Sequence, residues 1–173
     1  MEIVIRKGKP EDLGAFVDLL EEVWQTMPNK AWFYLDSRET FQAQMEQGIM
    51  ELWLAMDGDR VAGVFDLLIA GLDSVNYGYE LALSGDQLMQ TVNVDCVAVH
   101  PDYQGLGLQR RLMRAAEEWL GQGRERILLC TIHPENRYSL QNALACGYRI
   151  EKQIPIYNSV RYLLRKNIPE TEK

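Results

Sequence analysis

The sequence predicts an α/β (α+β) fold, a mixed central sheet of about seven strands flanked by about four helices. Three observations lead there. Stretches of strand and helix periodicity alternate in the order β-α-α-β-β-insert-β-α-β-α-β-β. A hairpin signal, Asp57-Gly58, joins two apolar stretches into an antiparallel pair. The stretch TVNVDCVAVHPDYQGLGLQRRL, residues 91–112, reads as a strand, a sharp glycine loop and the start of a helix. A mixed sheet flanked by helices fits this order.

Each element has its own signal. Residues 2–6 alternate apolar and polar, a short first strand. Lys9-Pro10-Glu11-Asp12 opens a helix, since proline suits a first turn and acids complement the dipole there. Leu13, Phe16, Val17, Leu20, Val23 and Trp24 carry its apolar stripe to about Met27. Ser37 is a cap-type residue before a second helix with Phe41, Met45 and Ile49, ending near Gly48. Trp32, Phe33 and Tyr34 lie in the loop between, either sealing the helix pair or walling an acceptor pocket. Residues 51–56 and 60–70 form the hairpin strands, with Gly63 marking a bulge or a close approach. Residues 71–90 are a long connection with a helical turn at 86–89, read either as a lid or as a surface excursion.

Thr91, Val92, Val94, Val97 and Val99 give the central strand its β-branched character, and His100-Pro101 ends it. Leu108, Leu112, Ala115, Ala116, Trp119 and Leu120 mark the next helix, stopped at Gly121 and Gly123. Residues 126–132 are a nearly continuous apolar run, as a central strand requires. Residues 136–146 make a short helix closed by Gly147, and residues 148–155 and 157–165 are the last strands. One domain, 1–173, is expected, with a core over 2–166 and a fraying tail over 167–173.

Composition narrows the class. A 47% hydrophobic and 25% charged chain is ordinary for a globular protein. A net charge of -7 argues against nucleic acid and suits a cationic partner. Cys96, Cys130 and Cys146 form no CxxC pair, and with only His100 and His133 no metal site is expected. The start, Met1-Glu2-Ile3, lacks a leader pattern, and no run nears the ~18 apolar residues of a membrane span. A cytoplasmic protein, a monomer or homodimer, is expected.

The glycine loop carries the chemistry. Gly105 and Gly107 let the backbone approach a ligand, and the helix behind them begins with amides that have no intrahelical partner. Strand, loop and helix start together make a phosphate cradle. It is not a P-loop, for no GxxxxGK run exists, and the third glycine of a dinucleotide fingerprint would fall on Arg110.

Ala98, Val99, His100, Pro101, Asp102, Tyr103, Gln104, Gly105 and Gly107 resemble the acyl-CoA-binding motif of the GNAT superfamily of N-acetyltransferases. That motif is Gln/Arg-x-x-Gly-x-Gly/Ala, and Gln109 departs from its last position. A second signature, Asn136, Ser139, Gly147 and Tyr148, also matches. The resemblance spans residues 2–166 and is strongest over 94–148. It implies the GNAT fold, acetyl-CoA as co-substrate, no metal, and a small-molecule or protein amine as acceptor. The family's pyrophosphate loop corresponds to Gln104, Gly105, Leu106, Gly107, Leu108 and Gln109. Arg110 and Arg111 either reach the phosphates or are plain surface residues. The pantetheine arm would lie between splayed strands, along the backbone of Val97, Ala98 and Val99, with Asn136 and Ser139 beside it. A backbone N–H there would polarise the thioester carbonyl.

An alkyl amine of pKa ~10 must lose a proton before it attacks. Period-two geometry sets Asn93, Asp95, Val97 and Val99 on one face, and a carboxylate there often serves the family as base. Asp95 is the candidate, with Glu80 and His133 in reserve. The family's usual tyrosine, seven residues after the asparagine, is Ala143 here, so the thiolate leaves unaided or another residue protonates it. An acetyl-CoA-dependent N-acetyltransferase working by direct transfer is therefore expected. A non-catalytic acyl-CoA-binding module is the alternative.

Overall fold

The computed structural model describes residues 2–170; Met1 and residues 171–173, the end of the expected tail, lie outside them. Among the described residues seven strands form one sheet in the order β1-β2-β3-β4-β5-β7-β6. They are β1 (Ile3–Lys7), β2 (Met50–Asp57), β3 (Arg60–Leu68), β4 (Thr91–Val99), β5 (Arg126–Ile132), β6 (Arg149–Ile156) and β7 (Ser159–Ile168). Every neighbouring pair is antiparallel except β4 with β5. Asn167 and Ile168 were expected in the tail but pair with Ile127 and Arg126, because β5 has no other partner on that side.

Among the described residues five α-helices flank the sheet: α1 (Leu13–Thr26), α2 (Arg38–Glu46), α3 (Asp86–Gln90), α4 (Leu108–Leu120) and α5 (Arg137–Ala145). The extra one is α3, where the sequence suggested a turn. Ser37 caps α2 by accepting from the Thr40 amide, as its residue type predicts. The α1 and α2 side chains Phe16, Leu20 and Phe41 bury against Leu52, Leu54, Cys96 and Ala98 on one face. Leu112, Met113 and Ala116 of α4 bury against Val92, Val94 and Leu128 on the other, with Val97 and Val99 packed at the margin.

Two bulges shape the middle of the sheet. Between β2 and β3 the register runs Ala55↔Gly63 then Met56↔Val61, leaving Ala62 extra. Gly63 itself is a close approach: a Cβ there would meet the Ala98 carbonyl and a Leu112 methyl at 3.2 Å. Between β3 and β4 the register runs Phe65↔Val97 then Leu67↔Val94, so β4 carries an extra residue at Asp95 and Cys96. That second bulge corrects the alternation expected from sequence. Val92 and Val94 face α4, and so do Val97 and Val99, whereas Cys96 and Ala98 face α1. Asp95 therefore does not share a face with Val97.

The connection over residues 71–90 runs largely over the surface, as the excursion reading expects, but is pinned to the sheet at Asn76 and Tyr77. Asn76, at 2% exposure, donates to the carbonyls of Gly71 and Leu88, and Asn93 of β4 accepts from the Tyr77 amide and donates to the Val75 carbonyl. Tyr77 is thereby driven into a cluster with Ile127, Leu129, Ile154 and Leu163. The last hairpin also differs: Tyr157 and Asn158 both take φ +55, so Tyr157 belongs to the turn and not to β7.

Candidate functional site

The parallel pairing of β4 with β5 stops early. It joins Thr91↔Ile127, Val92↔Leu128 and Asn93↔Leu129, and beyond Asn93 the strands part. The His100 amide donates to the Ala62 carbonyl across β3. By alternation along an extended strand, the amide of Ala98 also faces β3, while those of Val97 and Val99 face the gap. The free edge of β4 thus offers backbone groups at Val97 and Val99. Ala98 turns its side chain toward α1.

At the end of β4, Tyr103 anchors the loop, its hydroxyl donating to Asp57 at 2.9 Å. The chain then turns through Gly105 (φ +81) and Gly107 (φ +69), conformations open to glycine and strained for other residues. Gly107 is the N-cap of α4 and has no side chain to accept from the first turn. The amides of that turn are left for an external acceptor, aided by the helix dipole. A Cβ at Gly105 would meet nothing within 4 Å, so the loop lies open to a bulky group. Leu106 is exposed, while Leu108 is core. Arg110 is exposed beside the loop, whereas Arg111 is tied back, donating to the Ile3 carbonyl at 2.8 Å. Gln109, the departure from the motif, is buried at 6% exposure, and its Oε1 accepts from Asn142 of α5 at 3.0 Å. The larger side chain is folded sideways against α5 and leaves the amides in front of it free.

Two cavities meet in the gap. The outer one, about 990 Å³ to its mouth, runs from Gln104 and Gln109 along Val97, Ala98 and Val99, with Met27 and Pro28 opposite. The inner one holds Asp95, Val94, Tyr77, Cys130 and Ala143. Trp32, Val97, Gln109, Asn136 and Ser139 line both. Asn136 caps α5 with its Oδ1, accepting from the Ser139 amide at 3.2 Å, which leaves its amide nitrogen for the cavities. The loop and the gap together fit a molecule with a phosphate end and a thin, amide-bearing arm.

Asp95 sits at the bulge on the inner cavity. The wholly buried Asp66 of β3 makes the bulge possible, accepting the Cys96 amide that β3's backbone cannot reach, at 2.7 Å. Its other oxygen, Oδ2, has no partner. Asp66, Asp95 and Cys96 bring one polar atom each within 4.8 Å of one another. Burial, and then the charge of Asp95, raise the Asp66 carboxyl well above the carboxylate range, so it holds a proton. Burial and then the charge of Asp36 push Asp95 up to about 6; hydrogen bonds from Cys96 and Tyr77 and the charge of Arg161 pull it back. Tyr77 donates to Asp95 at 3.3 Å and meets the Tyr157 hydroxyl at 2.6 Å. Asp95 can therefore shed its proton near neutrality and take one from a neighbour. Burial drives the Cys130 thiol up to about 12, which leaves it a poor nucleophile.

Arg161 of β7 closes one side, donating to the carbonyls of Ala31 and Trp32 at 3.0 and 3.1 Å. Tyr34 stacks on Tyr157 at 4.2 Å between ring centroids. These contacts bring Trp32, Phe33 and Tyr34 onto the inner cavity, and Phe33 also packs against the α1–α2 core, so the loop seals the helix pair and walls the cavity at once. Sequence reasoning missed Asp36, Asp66, Tyr157 and Arg161. Only Asp66 had a local signal, a lone acid within the apolar run Val64-Phe65-Asp66-Leu67-Leu68. Glu80 and His133 line neither cavity.

The sequence model of the acetyltransferase (GNAT) family matches residues 16–148. A search of the curated proteins returns no match. Among solved structures, the chain is similar to NAA60 of Arabidopsis thaliana in complex with acetyl-CoA, at 16% identity and TM-score 0.70, covering 96% of this chain and 99% of that one. It is similar to the ribosomal-protein-S18-alanine N-acetyltransferase of Escherichia coli, at 14% identity and TM-score 0.66, covering 98% and 95%. It is also similar to an aminoglycoside acetyltransferase in complex with coenzyme A and kanamycin, at 15% identity and TM-score 0.61, covering 95% and 94%.

Proposed function

Because this chain belongs to the acetyltransferase (GNAT) family, we propose that it moves an acetyl group from acetyl-CoA to a primary amine, directly, in a ternary complex. The observation that carries this reading is the junction of the two cavities at Val97. A thioester threaded along the free edge of β4 would bring its carbonyl to the place where Asp95 faces the inner cavity. Solved neighbours that hold acetyl-CoA or coenzyme A support the choice of co-substrate.

The residues then have distinct tasks. The amides of the Gln104–Gln109 loop and of the first turn of α4 hold the pyrophosphate, and Arg110 adds charge at its edge. Backbone groups of Val97 and Val99 pair with the pantetheine, and Asn136 and Ser139 flank it. Asp95, ionised above about pH 6, takes a proton from the entering ammonium. The neutral nitrogen attacks the thioester carbon, and the Val97 amide stabilises the oxyanion. The C–N bond forms and the C–S bond breaks. The nitrogen's surplus proton goes to the departing thiolate, and Asp95 returns its own proton to solvent. A thiol of pKa about 8.5 needs little help to leave, which accommodates Ala143.

A non-catalytic acyl-CoA-binding module is a second reading, favoured by Ala143, a buried alanine with no proton to donate. Calorimetric titration with acetyl-CoA, repeated on Gly107→Glu and Gly107→Ala, tests the cradle. Both variants carry the strain of φ +69, but only glutamate sets a charge against the phosphates. Binding should survive in the alanine variant and vanish in the glutamate variant. No binding by the parent up to about 1 mM, weaker than about 4 kcal/mol, overturns the reading. Thiol release with an amine panel then separates enzyme from module.

A further inference from the structure

The inner cavity carries more negative charge than acetyl transfer requires. Asp36 lines it together with Asp95. Among the described residues Asp36 has no hydrogen-bond or ion-pair partner, and burial alone raises its carboxyl. Its charge acts on Asp95, Asp66, Cys96 and Tyr157. Arg161, the basic residue on this cavity, spends its terminal nitrogens on the Ala31 and Trp32 carbonyls, and its charge acts on Asp95, Tyr77, Tyr157 and Cys130. Arg161 thus balances Asp95 and leaves Asp36 unbalanced. The cavity is short of a cation.

The reacting nitrogen cannot supply it. To attack, that nitrogen gives its proton to Asp95, and as an amide it is neutral. A cation facing Asp36 throughout the reaction must be a second group on the acceptor. The walls suit an alkyl chain between the two: Trp32, Phe33, Tyr34 and Tyr157 present aromatic surface, on which an ammonium is also favourably placed. Size points to a small molecule, for the Tyr34–Tyr157 stack and the Arg161 bonds join the loop before α2 to the β6–β7 hairpin, roofing the cavity. Resting on the acetyltransferase reading, we propose that the acceptor is a small linear dibasic amine, with one nitrogen at Asp95 and a second, charged nitrogen held by Asp36. Asp36 is then a specificity-determining residue and takes no part in bond making.

The test compares 1,4-diaminobutane and spermidine with butylamine as acceptors, by thiol release from acetyl-CoA, in the parent and in Asp36→Asn. The parent should prefer the dibasic amines at least tenfold in kcat/KM. Asp36→Asn should erase that preference through a raised KM for the dibasic amines, with the rate on butylamine and the thermal midpoint little changed. Asp36→Glu should restore part of the preference, which a merely structural role would not allow. Equal kcat/KM for butylamine and 1,4-diaminobutane in the parent overturns the proposal, as does an equal loss on both in Asp36→Asn. If acetyl-CoA binds and another amine is acetylated but neither dibasic amine is, this assignment falls and acetyl transfer stands. If acetyl-CoA does not bind, the acetyltransferase reading falls with it.

Discussion

Asp95 is the base proposed above, and its environment makes the prediction. Its carboxyl titrates at about 6, raised first by burial and then by the charge of Asp36, against Cys96, Tyr77 and Arg161. A base must be ionised to work, so kcat/KM on any accepted amine should rise with pH through a limb near 6. In Asp36→Asn that limb should move to lower pH, since one raising cause is gone. Asp95→Asn should lower turnover by about 10²–10⁴-fold, the usual share of general base catalysis. A pH–rate profile with the limb unmoved in Asp36→Asn, or turnover unchanged in Asp95→Asn, would remove Asp95 as base. The residue type was legible in the sequence, and so was its strand. Its partners were not, because Asp36, Tyr77 and the pair Tyr157 and Arg161 come from three separate stretches of chain.

Elements decide where that side chain points. A strand of unbroken period two would set Asp95 beside Val97, and that is what the sequence implied. The bulge at Asp95 and Cys96 reverses the alternation, and nothing in the local sequence of β4 announces it. Its cause is on another strand, where Asp66 meets the freed Cys96 amide. Close packing elsewhere in the sheet is testable. Gly63→Ala should cost about 1–3 kcal/mol in urea unfolding, since its methyl would press on the Ala98 carbonyl and Leu112 at 3.2 Å. Lys166 of β7 pairs with the largely buried Glu117 of α4, which also accepts from the Tyr148 hydroxyl. Lys166→Ala should therefore cost about 1–3 kcal/mol, by leaving a carboxylate short of a partner. A loss below a few tenths in either variant would mean that the helix and sheet relax freely.

Across the whole molecule the buried acids set a pH dependence of folding. Asp66 and Asp95 titrate above their unfolded values in the native state, so each favours folding in its protonated form. Their contribution is fully present below the unfolded value and is lost as pH rises through the folded one. For Asp95 the window runs from the ordinary 3.8 to about 6, corresponding to about 3 kcal/mol. Asp66→Asn keeps an oxygen for the Cys96 amide and removes a group that ionises only at a cost. Its denaturation midpoint should fall less than the parent's toward alkaline pH, and an identical profile would place the sensitivity elsewhere.

The order of elements along the chain, the hairpin at Gly58, the cap at Ser37 and the strand–glycine loop–helix unit were all legible in the sequence. Each rests on residues within a few positions of one another, where steric limits and hydrogen-bond needs act locally. The loop proposed as a phosphate cradle belongs with them, because an uncapped helix start behind two glycines is a property of one short stretch. The inner cavity, proposed to take the acceptor, belongs to the tertiary structure. Its roof is a stack between Tyr34 and Tyr157, its floor a bulge held from the next strand, and its charge a sum over Asp36, Asp95 and Arg161. Those interactions join residues far apart in the chain, and their energies depend on burial that exists only once the sheet has formed.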